Sequence, residues 1–169
     1  MIPAISLSLT PRADRQARAD VFRRMAAEGR ARIVQYNLPE PSLDAWLEHT
    51  ERAWFCTLSV SGQPCAAVWI RDFTGQSAFV HFVIFRGYEG LSRAACRLAC
   101  RWAFSGGLAC LMGLIPVVNR AALATMRDCG WREAFRVPKA CFVHRLGRHV
   151  DGALCYFTPQ LLSESEATQ

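Results

Sequence analysis

The stretch Phe85-Arg-Gly-Tyr-Glu-Gly-Leu-Ser92 combines the residue types that a backbone anion site requires. N–H groups at a helix start have no partners within the helix and carry partial positive charge, so they attract phosphate oxygens. Glycine lets the chain approach such a ligand without a Cβ, and Gly87 and Gly90 punctuate this stretch. Arg86 adds a permanent cation suited to phosphate. Just upstream, His81 lies in the apolar run Ala78-Phe-Val-His-Phe-Val-Ile-Phe85. Imidazole titrates near neutral pH, which makes His81 the candidate general base, and strand parity puts it on one face with Val83 and Phe85. Glu89 in the loop and Glu51 further upstream are the carboxylate alternatives. An ordinary strand-to-helix turn beside a structural histidine uses the same residues.

Two nucleotide motifs are excluded at once. No Gly-Lys-Ser/Thr follows the loop, and the third glycine of the dinucleotide fingerprint is missing. The chain has 169 residues, 51% of them hydrophobic and 20% charged, with a formal charge of +6. That is a globular composition, long enough for one sizeable core, and its charge suits an anionic ligand. The basic residues are scattered, with no nucleic-acid-binding motif, which argues against nucleic acid. The eight cysteines form no CxxC pair, so zinc-ligand spacing is absent, and they lie mostly in apolar runs as buried, reduced thiols would. The first residues lack a basic segment before an apolar one, so the expected location is cytoplasmic. Trp102 to Asn119 carries no charge, but Ser105, Gly106-Gly107 and Pro116 interrupt it. A helix ending at the glycine pair and then a buried strand is expected there, not a membrane span.

The elements that must position these residues follow from periodicity. Ile5 to Thr10 alternates as a strand does, and Pro11 to Arg30 reads as a helix with Ala17, Val21, Phe22 and Met25 on one face. Arg15, Arg18, Arg23 and Arg24 are assigned to its solvent face. Ser42 caps a helix carrying Leu43, Trp46 and Leu47. Three strands joined by tight turns follow (Trp54 to Val60, Cys65 to Phe73, Ser77 to Phe85), forming an antiparallel meander. After the loop come a helix from Leu91 to Phe104, a strand from Leu108 to Ile115, and an Asn119-capped helix to about Cys129, stopped by Gly130. Arg93, Arg97 and Arg101 form a row on the first of these helices, open to solvent or to a nucleotide phosphate. Trp131 to Phe157 closes the chain with further strands, leaving residues 159–169 as a polar, frayed tail. The order predicts a single α+β domain over residues 1–158, with a central, mixed, mostly antiparallel sheet flanked by helices.

This order, with the loop Gly87-Tyr-Glu-Gly-Leu-Ser92 and the segment Asn119-Arg-Ala-Ala-Leu-Ala-Thr-Met-Arg-Asp-Cys-Gly-Trp131, resembles the GNAT superfamily of acyl-CoA N-acyltransferases. The family loop reads Gln/Arg-x-x-Gly-x-Gly/Ala; Gly90 matches it, Gly87 stands where Gln or Arg is usual, and Ser92 replaces the last small residue. The resemblance implies that acetyl-CoA is the acyl donor. Its pyrophosphate would lie against Arg86, Gly87, Gly90, Leu91 and Ser92, and its pantetheine arm near Asn119. The oxyanion would be held by a strand N–H near Val83 to Phe85. Gly113, inside a buried strand, fits an arm passing between splayed strands, and equally a bulge or a tight helix contact.

The expected function is N-acetyl transfer to an amine of a small molecule or protein by direct attack on the thioester, with His81 or Glu89 as base. Many family members carry a tyrosine acid where Met126 stands here, so Ser92, Tyr88 and Tyr156 are the remaining candidates. No Cys–His spacing suggests a covalent route. A catalytically silent module that binds CoA or a protein partner is the alternative.

Overall fold

The computed structural model describes residues 7–11 and 14–167. Seven strands form one sheet in the order β1-β2-β3-β4-β5-β7-β6: β1 (Leu7–Pro11), β2 (Trp54–Val60), β3 (Gln63–Thr74), β4 (Ser77–Ile84), β5 (Cys110–Pro116), β6 (Arg132–Val143) and β7 (Arg148–Phe157). Every neighbouring pair is antiparallel except β4 and β5. Among the described residues six α-helices flank the sheet: α1 (Arg15–Ala27), α2 (Ala31–Val34), α3 (Leu43–Thr50), α4 (Ser92–Ser105), α5 (Arg120–Asp128) and α6 (Pro159–Ala167). The mixed, mostly antiparallel sheet and the α+β class agree with the sequence-based expectation, as does the β2–β4 meander. Of the first strand, Ile5 and Ser6 lie outside the described residues.

Each sheet face carries its own core. On one, α4, α5 and α6 bring Ala95, Ala99, Ala103, Met126 and Leu161 onto Leu58, Val68, Ile70, Leu111 and Phe157. The three alanines are small enough to let α4 lie close to the strands. On the other, α1, α2 and α3 place Val21, Phe22, Met25, Trp46 and Leu47 against Phe55, Trp69, Val83 and Phe85. The cysteines are all free; seven are buried and Cys110 is half-buried. No helix among the described residues is long and apolar enough to cross a membrane.

The helix ends follow local chemistry. Asp14, Ser42 and Asn119 each accept a backbone N–H from the first turn that they cap, at 2.7, 3.2 and 3.2 Å. Gly130 stops α5 at a φ of +91°, where a Cβ would come within 2.8 Å of Ser165 Cβ on α6.

Three expectations are corrected. Arg18 is buried, not on a solvent face: its guanidinium donates to the Thr50 carbonyl at 2.8 Å, while Trp46 Nε1 donates to the Arg18 carbonyl at 2.8 Å, tying α1 to α3. In the arginine row on α4, Arg93 and Arg101 are exposed as expected, but Arg97 is not. Arg97 is buried and donates to the Ser165 carbonyl at 2.8 Å, and Arg101 bonds Glu166 at 2.9 Å. Both fasten α6, so residues 159–167 are a docked helix with Leu161 and Leu162 buried, not a frayed tail.

Candidate functional site

Strands β4 and β5 pair only at Ser77–Cys110, Ala78–Leu111 and Phe79–Met112, although they run on to Ile84 and Pro116. Beyond Phe79 they splay, and their facing edges are left without strand partners. Phe85 N–H donates to the Cys65 carbonyl at 2.9 Å. An antiparallel ladder alternates, so the N–H groups of Val83 and His81 also point at β3, across from Ala67 and Trp69. Those of Phe82 and Ile84 therefore face the gap. Within the expected span Val83 to Phe85 this leaves the Ile84 amide facing the gap, while the Val83 and Phe85 amides are committed to the sheet and their side chains are buried under α1–α3.

The gap opens into a cavity of about 790 Å³ walled by β4 and β5, by α2 and by α5. Its lining includes His81, Phe82, Ile84, Glu89, Ser92, Gly113, Asn119 and Met126. Gly113 is buried in a ladder with β7 that shows no register shift, and a Cβ there would meet only Trp131 Cζ3, at 4.0 Å. Neither a bulge nor a tight contact accounts for this glycine. Asn119 uses Oδ1 to cap α5 while lining the same cavity.

At the end of β4 the loop turns through Gly87, with φ at +86°, into a 3₁₀ turn (Glu89–Leu91) and then α4. Its amides already hold anions. The Glu89 carboxylate accepts from Gly87 N–H at 2.9 Å and from its own N–H, and it pairs with Arg30. Arg86 N–H donates to the Glu28 carboxylate at 2.7 Å, and the Arg86 guanidinium reaches the Glu28 carbonyl at 3.2 Å. The Arg86 N–H thus serves Glu28, while the Gly87 and Glu89 N–H groups converge on the Glu89 carboxylate as in an anion-holding nest. These bonds, with Arg30, hold the Glu89 carboxyl below its usual range. Burial works against ionisation of Glu28, yet the Arg86 amide, Arg24 and Arg30 outweigh it and hold that carboxyl low as well. Leu91 and Ser92 belong to the turn: Leu91 N–H donates to the Tyr88 carbonyl at 2.8 Å, and Ser92 Oγ to the Glu89 carbonyl at 2.5 Å. Gly90 has open space where a Cβ would stand. The loop thus gathers Arg86, Gly87, Glu89, Gly90, Leu91 and Ser92, but Glu89 is an occupant of the anion nest, not a free base.

His81 stacks on Trp69 with centroids 5.4 Å apart and planes 6° apart, and meets the His49 ring edge-on at 5.6 Å. Burial, then the charges of His49 and Arg71, depress its pKa to about 4, below the near-neutral value expected from its type. It is neutral at pH 7. Its Nε2 is buried without a hydrogen-bond partner among the described residues, as is Trp69 Nε1.

Sequence reasoning missed several residues of the wall: Arg30, Ile33, Val34, Tyr36, Trp69 and Asp72. Tyr36 donates its hydroxyl to Cys141 Sγ at 3.7 Å, and burial pushes its pKa up. Parity would have placed Trp69 opposite His81 only once the β3–β4 register was known. The segment carrying Arg30 to Tyr36 has no local signal of its role. Of the proposed acids, Ser92 lines the cavity, whereas Tyr88 and Tyr156 do not.

Solved structures share this fold. The spermidine N-acetyltransferase of Vibrio cholerae, in complex with CoA and spermine, superposes with a TM-score of 0.74 at 17% identity, covering 92% of this chain and 98% of that one. RimJ of Mycobacterium smegmatis, in complex with CoA-disulfide, gives 0.74 at 16% identity over 98% of this chain and 90% of its own. The ribosomal-protein-S5-alanine acetyltransferase of Vibrio fischeri gives 0.66 at 16%, covering 90% and 91%. The chain has the GNAT fold. No protein-family model matches it, and no curated protein matches it in sequence. Within the GNAT fold, the cavity occupies the opening between the splayed strands β4 and β5, with the anion-holding loop at the end of β4.

Proposed function

We propose that this protein is an N-acyltransferase that uses acetyl-CoA to acylate an amine. The observation that carries the reading is the splayed β4–β5 pair opening beside a loop whose amides already hold carboxylates. Those carboxylates occupy places that pyrophosphate oxygens would take, and Arg86 and Arg30 supply cations beside them. The cleft along Gly113 to Asn119 would take the pantetheine arm, and the CoA complexes of the similarly folded Vibrio cholerae and Mycobacterium smegmatis proteins support a CoA-type ligand.

In the reaction the neutral amine nitrogen bonds the thioester carbonyl carbon and sheds one proton, the carbon–sulfur bond breaks, and the departing thiolate takes up a proton, so the proton count balances. The Phe82 and Ile84 amides face the cleft and would meet the developing oxyanion. His81 would accept a hydrogen bond from the amine. Its depressed pKa makes it a weak base, so the proton of an incoming ammonium goes to water.

A second reading, a module that binds CoA without turnover, is favoured by Met126, whose apolar side chain lines the cavity where many GNAT enzymes carry a tyrosine. Calorimetry with CoA and acetyl-CoA, followed by a thiol-release assay over an amine panel, tests both. Binding with acceptor-dependent thiol release is expected. No binding at millimolar CoA refutes both readings, and binding without release for any amine leaves only the second.

A further inference from the structure

From Ala134 to Val150 the chain has no acidic residue, yet it carries Arg136, Lys139, His144, Arg145, Arg148 and His149. Arg136 is answered by Glu133 at 2.8 Å. The turn between β6 and β7, made of a 3₁₀ turn (His144–Leu146), Gly147 and the first residues of β7, is exposed throughout His144 to His149. The side chains of Arg145 and Arg148 have no ion-pair partner among the described residues. Two solvated arginines are ordinary on a surface. What sets these apart is where the fold puts them.

Arg148 pairs with Val143 and lies two residues from Val150, so it shares a sheet face with both. Those valines are buried in a cluster against which Tyr36 packs, and Tyr36 lines the cavity. The Tyr36 carbonyl also accepts His144 N–H at 2.8 Å, which fastens the turn to the cavity wall on the α2 side. Pro116, the last residue of β5, pairs with Gly152, so β7 runs on past β5 at the open end of the β4–β5 gap. Arg148 stands four residues on from Gly152, or about 13 Å along an extended strand.

An amine held between β4 and β5 would send any chain attached to it out past this turn, whereas a small amine would not reach it. Carboxylates on that chain would meet guanidinium groups that nothing else neutralises. Leu146, 41% exposed, and the Phe142 ring, set edge-on to His144 and His149, offer apolar contact alongside. A nucleic acid would bring phosphates but no aliphatic amine, and the exocyclic amines of its bases are poor nucleophiles. A polypeptide brings both the amine and the anions.

We propose that the acceptor is an amino group of an acidic polypeptide, whose carboxylates, about three to five residues from that amine, dock on Arg145 and Arg148. This rests on the reading of the cleft given above, and it adds the kind of acceptor.

Fluorescence anisotropy on the CoA-saturated protein measures the docking. The probes are labelled octapeptides with a free amino terminus, identical except that their third to fifth positions are glutamate, glutamine or lysine. A second set has a blocked terminus and a single lysine in first place. In at least one set the glutamate peptide is expected to bind about fivefold or more tightly than the glutamine peptide, a margin that two exposed ion pairs supply and high salt erodes. It should also release thiol from acetyl-CoA with the higher kcat/KM. Arg145→Glu combined with Arg148→Glu should reverse the order of the glutamate and lysine peptides while CoA affinity stays the same, since both side chains are exposed. Equal peptide affinities in both sets with CoA bound overturn the proposal, as does an unchanged order in the double variant. A variant that loses CoA affinity assigns the arginines to the cofactor and overturns it too. Tighter binding of a single-stranded oligonucleotide than of the glutamate peptides gives the turn to nucleic acid instead. Docking of a glutamate peptide without thiol release makes it a partner of a silent module, not an acceptor. Failure of CoA itself to bind is a distinct result that removes the underlying function and the proposal with it. Should the double variant not fold, the peptide ranking on the unaltered protein decides.

Discussion

Gly113→Ala separates a binding role from a packing role. The residue sits inside β5 with ordinary backbone geometry, and the nearest atom to an added Cβ is Trp131 Cζ3 at 4.0 Å. That is a van der Waals contact, so the folded protein accommodates the methyl group without shifting. Replacing glycine by alanine also narrows the unfolded ensemble, which is worth about 0.4–1 kcal/mol of stability. For a chain of this length the unfolding midpoint should rise by roughly 1–4 °C. The same methyl group narrows the cleft that, in the proposed function, the pantetheine arm would enter. Overpacking of this kind costs about 1–3 kcal/mol, or roughly five- to hundredfold in Kd. Differential scanning fluorimetry and CoA calorimetry on one preparation read both effects. A variant that is more stable and binds CoA more weakly supports the cleft assignment. Unchanged CoA affinity refutes it, and a midpoint lowered by several degrees shows that Gly113 serves packing instead.

Glu89→Ala should bind CoA more tightly, by about threefold or more in calorimetry, because the carboxylate that competes for the Gly87 amide is gone; weaker binding would refute the competition. His81 should make stability depend on pH. Its folded pKa of about 4 lies below the ordinary 6.5, so the unfolded chain takes up its proton first as pH falls. Stability is then full above pH 6.5 and drops by up to about 3 kcal/mol on descending through pH 4, and His81→Phe should remove that part of the slope in urea titrations at successive pH values. Leu161→Ala on α6 should cost about 2–5 kcal/mol and lower the unfolding midpoint by roughly 5–15 °C; a loss under 1 kcal/mol would mean that α6 frays after all.

What was legible in the sequence is what depends on near neighbours. The Asn119 cap, the Gly130 stop and the tight turns of the meander are each written within a few residues, and their order was enough to indicate the fold. The misread arginines and the misread tail involve partners far along the chain. Arg18 and Arg97 have the side chains of a wet helix face, and only carbonyls from α3 and α6 make their burial tolerable. The polar composition of the C-terminal segment reads as a tail, yet its two buried leucines suffice for helix α6 when Arg97 and Arg101 hold the rest. The loop follows the same logic more sharply. Its glycines announced a capacity for anions, but which anion sits there is decided by Glu89 folding back and Glu28 arriving from the end of α1. An anion site that supplies its own carboxylates favours a ligand able to displace both, which a pyrophosphate can do and a lone carboxylate cannot. The apolar wall beyond it, which would border the acceptor in the proposed function, comes from α2 and β3, where no short motif marks it.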